Sequence, residues 1–200
     1  MLPLLLASAS PRRREILTTL GIPFRAAAAD VDETALPGEP ASAYLDRIVA
    51  AKLVRAESIV MSLGLRAMVV ADTTVVIDER MLAKPANAAE NREMLRSLSG
   101  RSHSVMTRFA ASIVGGSRYA ETVSTQVTMR SLSDDEIAGY ADSGEGLDKA
   151  GGYAIQGMGA FAVVSIHGSY SNVVGLPAAE LILALKNLGI VPRFPFVPRS

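Results

Sequence analysis

The stretch over residues 4–17 constrains the fold most, because it joins an apolar run to a helix through two small hydroxyl residues. Residues 4–7 predict a buried strand, and Ser10 followed by Pro11 predicts a helix start, with serine as the N-cap and proline at the first helical position. A helix N-terminus carries a partial positive charge and unpaired N–H groups. Arginines at positions 12–14 are unfavourable there unless an anion binds, so the stretch predicts a phosphate site.

The arginines of this stretch have two possible explanations. If a phosphate binds, Ser8, Ser10, Arg12 and Arg13 are its candidate ligands, because hydroxyl and guanidinium groups add hydrogen bonds to those of the helix amides. Alternatively, the arginines are solvated on an exposed first turn, which we expect for Arg14 in either case.

Composition limits the classes of protein to which the chain can belong. Its 200 residues fit one domain, or one domain with a small lobe, and 49% of them are hydrophobic. The formal net charge of zero does not indicate a general nucleic-acid-binding surface. Without cysteine, a disulfide framework and a Cys-ligated metal are excluded. The apolar run at residues 4–7 is too short for a signal peptide and no run approaches a membrane span, so we expect a cytoplasmic protein.

Two charged features of the first half of the chain need partners. Asp30, Asp32 and Glu33 form an acidic cluster after a predicted strand at residues 24–29. Their mutual repulsion would be relieved by a divalent cation or by a lysine, unless the segment is simply a polar loop. Lys52 lies on the apolar face of a helix predicted over residues 41–63, which requires a partner, a cleft or snorkelling to solvent.

A second informative segment is the apolar run over residues 67–77, which predicts a strand covered on both faces. Asp72 interrupts this run, and an ionised carboxylate there is costly without a metal ion, a lysine or a catalytic role. The alternative is an aspartate that caps a bulge or turn. Residues 78–79 predict a hairpin turn, and Lys84 follows at the next element boundary.

The remaining elements follow from caps and periodicity. A hairpin is predicted around residues 115–117, with strands over 104–114 and 119–129, and a further strand over 161–166. Helices are predicted from Asn87 to about residue 99, from Ser133 to about residue 143, and over 178–188. Residues 168–177 predict a polar turn, and 191–200 an extended tail.

The loop over residues 144–157 is rich in glycine, which implies backbone turns or close approach to a ligand, unless the loop is purely structural. It also supplies Lys149 and the amide of Gln156, which can both donate and accept hydrogen bonds. His103 and His167 are too few and too far apart in sequence to support a histidine-based metal site, and both are interpreted as structural.

Taken together, these segments resemble the Maf nucleotide pyrophosphatases. The resemblance covers nearly the whole chain up to about residue 190. The matching blocks, in order, are Ser8-x-Ser10-Pro11-Arg12-Arg13, Asp32-Glu33, Lys52 in Ala-Ala-Lys, Ala71-Asp72-Thr73, Lys84-Pro85, Leu98-Ser99-Gly100-Arg101, Asp148-Lys149-Ala150-Gly151, Ile155-Gln156-Gly157 and the run GSYSNVVGLP at residues 168–177.

The resemblance implies an α/β fold related to the inosine triphosphatase-like enzymes, with an elongated, curved mixed sheet, flanking helices and a cleft between two lobes. The domain would span residues 1–190, with an extended tail over 191–200. Members are usually dimers that hydrolyse nucleoside triphosphates to the monophosphate and pyrophosphate with a divalent cation. Arg12, Thr73 and Gln156 match the subfamily that acts on dTTP and UTP.

Residues and resemblance together suggest a division of roles. Ser8, Ser10, Arg12 and Arg13 would hold phosphates, and Lys52 and Lys84 would neutralise the remaining charge. Glu33 and Asp72 would hold Mg²⁺ or Mn²⁺, and Asp72 would also activate the attacking water. Thr73 and Gln156 would contact the base, and Lys149 is a further candidate substrate ligand.

Alternatives remain open at this point. The chain would be a nucleotide-sensing regulator of cell division if its site binds without turnover, or a 7-methyl-GTP pyrophosphatase if its specificity residues are misread. A metal-dependent phosphohydrolase of unrelated fold is a third. The chain also departs from the family pattern at Ala83, before Lys84, and at Arg108, in the predicted hairpin strand; in both positions the family has glycine.

Overall fold

The computed structural model describes residues 2–195. The last five residues of the predicted tail, 196–200, and Met1 lie outside the described residues. None of the helices within 2–195 is both long and apolar enough to cross a membrane.

The described chain contains seven strands and six helices. They are β1 (Leu4–Ala7), α1 (Pro11–Thr19), β2 (Phe24–Ala27), α2 (Ala41–Ser62), β3 (Ala67–Ile77), β4 (Arg80–Leu82), α3 (Ala88–Leu98), β5 (Ser102–Ile113), β6 (Arg118–Met129), α4 (Asp134–Asp142), β7 (Val163–His167), α5 (Tyr170–Val174) and α6 (Ala178–Asn187). Short 3₁₀ turns cover Ala150–Gly152 and Met158–Ala162.

The strands form one mixed sheet. Its order is β2-β1-β3-β5-β6-β7, and β4 pairs with β3 outside this path. β1 is parallel to both β2 and β3, whereas the β3–β4 and β6–β7 pairs are antiparallel. The predicted fold class, an α/β protein with a mixed sheet and flanking helices, is confirmed.

The chain divides into two compact units, each assembled from separate segments. Unit 1 contains the described residues up to Asp72, Arg108–Thr122 and the described residues from Gly175 onward; unit 2 contains Thr73–Thr107 and Val123–Val174. A single domain over residues 1–190 stays a prediction.

The core of unit 1 forms around the short strand β1. All four of its residues are buried, as expected for a parallel strand with neighbours on both sides. Leu5 packs with Val49 and Leu53 of α2 and with Met68 of β3 in one apolar cluster. This packing fixes the end of β1, from which Ser8 and the α1 N-terminus follow.

The core of unit 2 is built from the second half of β3, α3, α4 and the hairpin strands. Val75, Leu95, Val105 and Val127 are among its buried members. At the end of β3, Asp78 and Glu79 both have positive φ angles, 48° and 64°, and Ile77 pairs with Arg80. This is a two-residue hairpin turn, as predicted.

Two sequence-based boundaries are corrected by the structure. β2 ends at Ala27 rather than residue 29, because it pairs residue for residue with β1 and ends where β1 ends. β7 begins at Val163 rather than residue 161, because the Met158 and Gly159 amides donate to the Glu145 carboxylate at 2.9 Å and form a 3₁₀ turn.

The predicted turn over residues 168–177 contains the short helix α5. The backbone amide of Asn172 donates to Ser169 Oγ at 3.2 Å, so Ser169 caps the start of this helix.

The two departures from the family pattern are accommodated locally. Arg108 lies in the continuous strand β5, where Nε pairs with the Asp46 carboxylate at 2.9 Å and Nη1 donates to Thr122 Oγ1 at 2.9 Å. The Ala83 carbonyl accepts a hydrogen bond from the Gly151 amide at 3.1 Å.

Candidate active site

The β1–α1 junction positions the first group of candidate residues. Ser10 is extended and its Oγ accepts from the Arg13 amide at 3.4 Å, so it is the N-cap that the sequence predicts. Ser8 is buried, and its Oγ accepts a hydrogen bond from the Ser10 amide at 3.2 Å. The two hydroxyls therefore fix the backbone at the positive end of α1.

Arg13 is a buried guanidinium rather than a solvated one. Its Nε donates to the Gly175 carbonyl at 2.8 Å, and Nη1 donates to Ser8 Oγ at 3.2 Å. Burial lowers the Arg13 pKa, while the nearby carboxylates of Asp72 and Glu33 act in the opposite direction. Because arginine stays protonated in proteins, Arg13 places a fixed positive charge beside these carboxylates.

The other two arginines of this turn are more accessible. Arg12 is half-buried and Arg14 is exposed, so the expectation that Arg14 is solvated agrees with the structure.

Lys52 accounts for both charged anomalies of the sequence. Its Nζ lies 2.6 Å from Asp72 Oδ1 and 2.5 Å from Glu33 Oε1. The Lys52 and Asp72 side chains are 8% and 9% exposed, whereas that of Glu33 is 39% exposed. A lysine on an apolar helix face and an aspartate inside an apolar strand are thus partners, and an ammonium with three donors satisfies both carboxylates.

The loop that carries Glu33 is attached to α2 by residues that sequence reasoning missed. Tyr44 Oη donates to the Glu33 carbonyl at 3.2 Å, and Arg47 Nη2 donates to the Thr34 carbonyl at 3.0 Å. Arg47 also binds both carboxylate oxygens of Glu39, at 2.7 and 2.6 Å. The available signal was spacing, because Tyr44 lies eight residues before Lys52 and therefore near the same face of the helix.

Tyr44 is also electrostatically linked to the carboxylates. Burial is the main cause that raises its pKa, and the negative charges of Asp72 and Glu33 raise it further. Tyr44 is therefore a neutral hydrogen-bond donor at physiological pH.

The other acidic residues of the Glu33 loop have local roles. Asp32 Oδ1 accepts from the Thr34 amide at 2.9 Å, and the hydrogen bonds from Thr34 lower the Asp32 pKa. Asp30 and Asp32 are both exposed. For Asp32 this is the polar-loop alternative considered from the sequence.

Glu33 and Asp72 offer the oxygen donors that Mg²⁺ or Mn²⁺ requires. Their carboxylates already converge on one cationic centre, the Lys52 ammonium. Among residues 2–195, no group of three or more histidine, cysteine, aspartate or glutamate side chains is arranged to hold a metal ion. Two carboxylates fit Mg²⁺, which keeps several waters and takes its other ligands from substrate phosphates.

The histidines take no part in this cluster. His103 is buried in unit 2, where Nε2 lies 2.7 Å from Tyr153 Oη and the two rings meet edge to face. His167 is exposed on β7. The position of His103 agrees with its interpretation as a structural residue, whereas the interpretation of His167 stays a prediction.

In unit 2, Thr73 belongs to a network of neutral hydrogen bonds. Its Oγ1 lies 2.9 Å from Thr107 Oγ1, and Thr107 Oγ1 donates to the Asn172 carbonyl at 3.1 Å. Thr107 and Asn172 are fully buried, whereas Thr73 is half-buried. Thr107 was not recognised as a candidate because a lone threonine within a strand carries no sequence signal.

The glycine-rich loop is ordered by its own contacts. Glu145 accepts hydrogen bonds from Tyr140 Oη at 2.8 Å and from two amides of the following turn. A Cβ on Gly152 would lie 2.1 Å from Asn91 Nδ2, so this close approach is to the protein and not to a ligand.

The remaining unit 2 candidates differ in their surroundings. Lys149 Nζ donates to the Glu145 carbonyl at 2.5 Å and also contacts the Asp148 carboxylate. Gln156 is half-buried in a bend of the loop, and Lys84 is exposed after β4.

Comparison with known proteins shows which sequences and structures this chain resembles. The sequence model of the family described as Maf-like protein matches residues 3–188. A Myxococcus xanthus (strain DK1622) protein named dTTP/UTP pyrophosphatase is 49% identical over 190 residues, which cover 94% of this chain and 93% of that protein. A protein of the same name from Syntrophus aciditrophicus (strain SB) is 44% identical over 187 residues, covering 93% and 90%. Among solved structures, the Staphylococcus aureus Ham1 protein gives a TM-score of 0.44 at 11% identity and covers 64% of this chain and 71% of its own.

Proposed function

The chain belongs to the Maf-like protein family, and we propose that it hydrolyses dTTP and UTP to the nucleoside monophosphate and pyrophosphate. The observation that carries the proposal is the buried Asp72 carboxylate, held by Lys52 in the same unit as the capped N-terminus of α1. Unit 1 thus combines a buried carboxylate with the capped N-terminus of a helix, a type of structure that can bind anions. The substrate class comes from the names of the relatives.

Phosphate binding is proposed for the β1–α1 junction. Ser8, Ser10 and the α1 amides would donate to phosphate oxygens, and Arg12 and Arg13 would add charge-assisted hydrogen bonds. The support is that Arg13 is held in place by Gly175 and Ser8, so little side-chain entropy is lost when it meets an anion. Lys52 and Lys84 would offset the remaining negative charge of the triphosphate.

Glu33 and Asp72 would hold Mg²⁺ or Mn²⁺. When bound, the cation would stabilise negative charge on the phosphate oxygens of the substrate. The residues fit this role because both carboxylates already face one positive charge, that of Lys52.

Asp72 is the proposed general base. Its carboxylate would orient a water molecule and accept its proton as the water oxygen attacks the α-phosphorus. The bond from the α-phosphorus to its bridging oxygen breaks, and pyrophosphate leaves. Positioning and charge stabilisation account for most of the rate in such reactions, which agrees with a cluster of fixed charges.

Base recognition is proposed for Thr73 and Gln156, and a substrate contact for Lys149. Arg12 is the third residue that matches the pyrimidine subfamily. Lys149 would exchange its present hydrogen bonds with Glu145 and Asp148 for a substrate oxygen.

We further propose that the protein is a cytoplasmic homodimer that binds neither nucleic acid nor membranes. The support is the resemblance to dimeric family members together with the balanced charge of the chain. Light scattering of the purified protein tests the dimer, and a monomer at micromolar concentration would contradict it.

The experiment that tests the proposed function is a substrate panel with product identification. The protein is incubated with dTTP, UTP, 7-methyl-GTP and ATP in the presence of Mg²⁺ or Mn²⁺. We expect the monophosphate and pyrophosphate from dTTP and UTP. Orthophosphate with a diphosphate would overturn attack at the α-phosphorus, preference for 7-methyl-GTP would overturn the substrate class, and binding without turnover would favour a regulatory role.

A further inference from the structure

The direction of the hydrogen bonds around Thr73 is fixed by a count of protons. Thr107 has a single hydroxyl proton and contacts both the Asn172 carbonyl, at 3.1 Å, and Thr73 Oγ1, at 2.9 Å. A carbonyl oxygen can only accept, so the contact with Asn172 uses the Thr107 proton. In the contact between the two hydroxyls, Thr73 is therefore the donor and Thr107 the acceptor.

Asn172 cannot turn away from this arrangement. It is fully buried, and its Nδ2 donates to the Val105 carbonyl and to Thr125 Oγ1, both at 3.0 Å. The backbone amide of Asn172 also donates to Ser169 Oγ at 3.2 Å. The oxygen that accepts from Thr107 is the backbone carbonyl of Asn172, and the hydrogen bonds of the backbone amide and of the side chain hold this residue beside Thr107.

The consequence concerns what Thr73 offers to a ligand. Its only proton is directed to Thr107, so any further hydrogen bond at Thr73 Oγ1 is one that it accepts. A hydroxyl that rotates freely can match a donor or an acceptor, whereas this one matches only a donor.

We propose that Thr107 and Asn172 are positioning residues that make Thr73 a hydrogen-bond acceptor toward the base, so that the site selects pyrimidines with a protonated N3 and rejects cytosine. N3 of uracil and thymine carries a proton, whereas N3 of cytosine is an acceptor and would face the oxygen of Thr73 without a proton between them. This inference rests on the proposed function, in which Thr73 contacts the base. It adds a physical basis on which the site would distinguish UTP from CTP, whose bases differ only at positions 3 and 4 of the ring.

The test is the ratio of kcat/KM for UTP to that for CTP in wild type and in Thr107→Val. The valine has nearly the same shape but no hydroxyl, so Thr73 is released to donate as well as accept. We expect kcat/KM for CTP to rise by about tenfold, the scale of one mismatched hydrogen bond, while that for UTP changes by less than about threefold. A purely structural role for Thr107 would lower both values and raise neither.

Two further variants serve as controls. Thr107→Ser keeps the hydroxyl and should retain the wild-type ratio. Thr128→Val removes a different hydroxyl of unit 2, which pairs with Ser102 Oγ at 2.8 Å outside this network, and should also leave the ratio unchanged. An unchanged ratio in Thr107→Val, or a serine variant that behaves like valine, would overturn the inference.

A measurement on the wild type keeps the inference testable if the valine variant does not fold. The probe is 3-methyl-UTP, in which a methyl group replaces the N3 proton, and we expect its kcat/KM to be at least about tenfold below that of UTP. Equal use of 3-methyl-UTP and UTP, or of CTP and UTP, would overturn the inference while the proposed function stands. Failure to hydrolyse UTP and dTTP at all would instead overturn the proposed function and the inference with it.

Discussion

The two units bury polar groups in opposite ways. In unit 1, charged side chains meet directly, and Lys52 lies within 2.6 Å of both Glu33 and Asp72. In unit 2, Thr73 contacts the neutral hydroxyl of Thr107, which in turn contacts a backbone carbonyl, and the contact between the two hydroxyls depends on which of them carries the proton. The contacts in unit 1 depend on electric charge, whereas those in unit 2 depend on the direction of each hydrogen bond.

This difference indicates what each unit can recognise. Charge attraction acts over several ångströms and depends weakly on angle. Under the proposed function, the charged cluster together with its divalent cation and Arg13 therefore suits the triphosphate group that all nucleoside triphosphates share. Hydrogen bonds weaken steeply when misaligned, so a fixed hydroxyl network suits the distinction between bases that differ in one proton. The charged cluster should therefore control the rate for every substrate, and the neutral network should control the choice among them.

The largest expected effect comes from Asp72→Asn in the charged cluster. The amide is isosteric but does not accept a proton from water, so kcat should fall by about 10²–10⁴-fold for dTTP and UTP alike, with nucleotide binding largely retained. Steady-state kinetics and equilibrium binding measure the two quantities. Asp78→Asn is the matched control, because Asp78 is exposed in the β3–β4 turn and pairs with Arg101 at 2.6 Å. Near-normal turnover, or a change only in the ratio of substrates, would contradict the division between the two units.

A second prediction tests whether the cluster is also structural. Lys52→Met leaves the Asp72 carboxylate buried without its ammonium partner, so the free energy of unfolding at neutral pH should fall by about 3–5 kcal/mol. Lys186→Met, at an exposed position of α6, should change it by less than about 0.5 kcal/mol. Urea denaturation measures both. Equal stability of the two variants would mean that the cluster does not contribute to folding.

The sequence predicted the elements of unit 1 more fully than their contacts. Ser10 and Pro11 are local signals, so the helix start at residue 11 could be read directly. Lys52 and Asp72 were each recognised as anomalies, because a charge on an apolar face needs a partner. That they partner each other depends on packing between α2 and β3, which no local pattern encodes.

The hydrogen-bond network of Thr73, Thr107 and Asn172 in unit 2 could not be predicted from the sequence. Thr73 and Thr107 are 34 residues apart, and Thr107 and Asn172 are 65 residues apart. Threonine is common in strands, so its presence in a strand does not show whether its hydroxyl is at the surface or in a buried hydrogen-bond network. Only the folded geometry gives the direction of each proton.

A third prediction concerns the pH dependence of the free energy of unfolding, which a buried histidine of unit 2 should influence. Burial lowers the pKa of His103 to about 4. Since the unfolded histidine titrates near 6.5, the unfolded state binds more protons than the folded state between these values. The contribution of neutral His103 to stability is therefore fully present above pH 6.5 and is lost as pH falls toward 4. At about 1.4 kcal/mol for each pKa unit, the loss is on the order of 3 kcal/mol.

The measurement is the free energy of unfolding from pH 7.5 to 4 for wild type, His103→Gln and His167→Gln. The slope between pH 6.5 and 4 should decrease in His103→Gln. His167 is exposed on β7, so His167→Gln should retain the wild-type slope. Identical slopes in all three proteins would show that carboxylates alone determine the acid sensitivity.

The smallest effect is expected for Tyr44→Phe in unit 1. This variant tests whether the charged cluster also needs the hydrogen bond that holds the Glu33 loop. Tyr44→Phe removes the hydrogen bond from Tyr44 Oη to the Glu33 carbonyl, while it keeps the ring that packs against Arg47 at 5.7 Å. One neutral hydrogen bond contributes about 0.5–1.5 kcal/mol, so kcat/KM should fall by about 2–12-fold, equally for dTTP and UTP. The Mg²⁺ concentration for half-maximal rate should rise, since Glu33 is held less firmly. Tyr119→Phe, which removes an exposed hydroxyl bonded to Glu121, is the control. If Tyr44→Phe has the same kcat/KM and Mg²⁺ dependence as Tyr119→Phe, the charged cluster does not need the hydrogen bond from Tyr44. Hydrogen-bond direction would then be important only in unit 2.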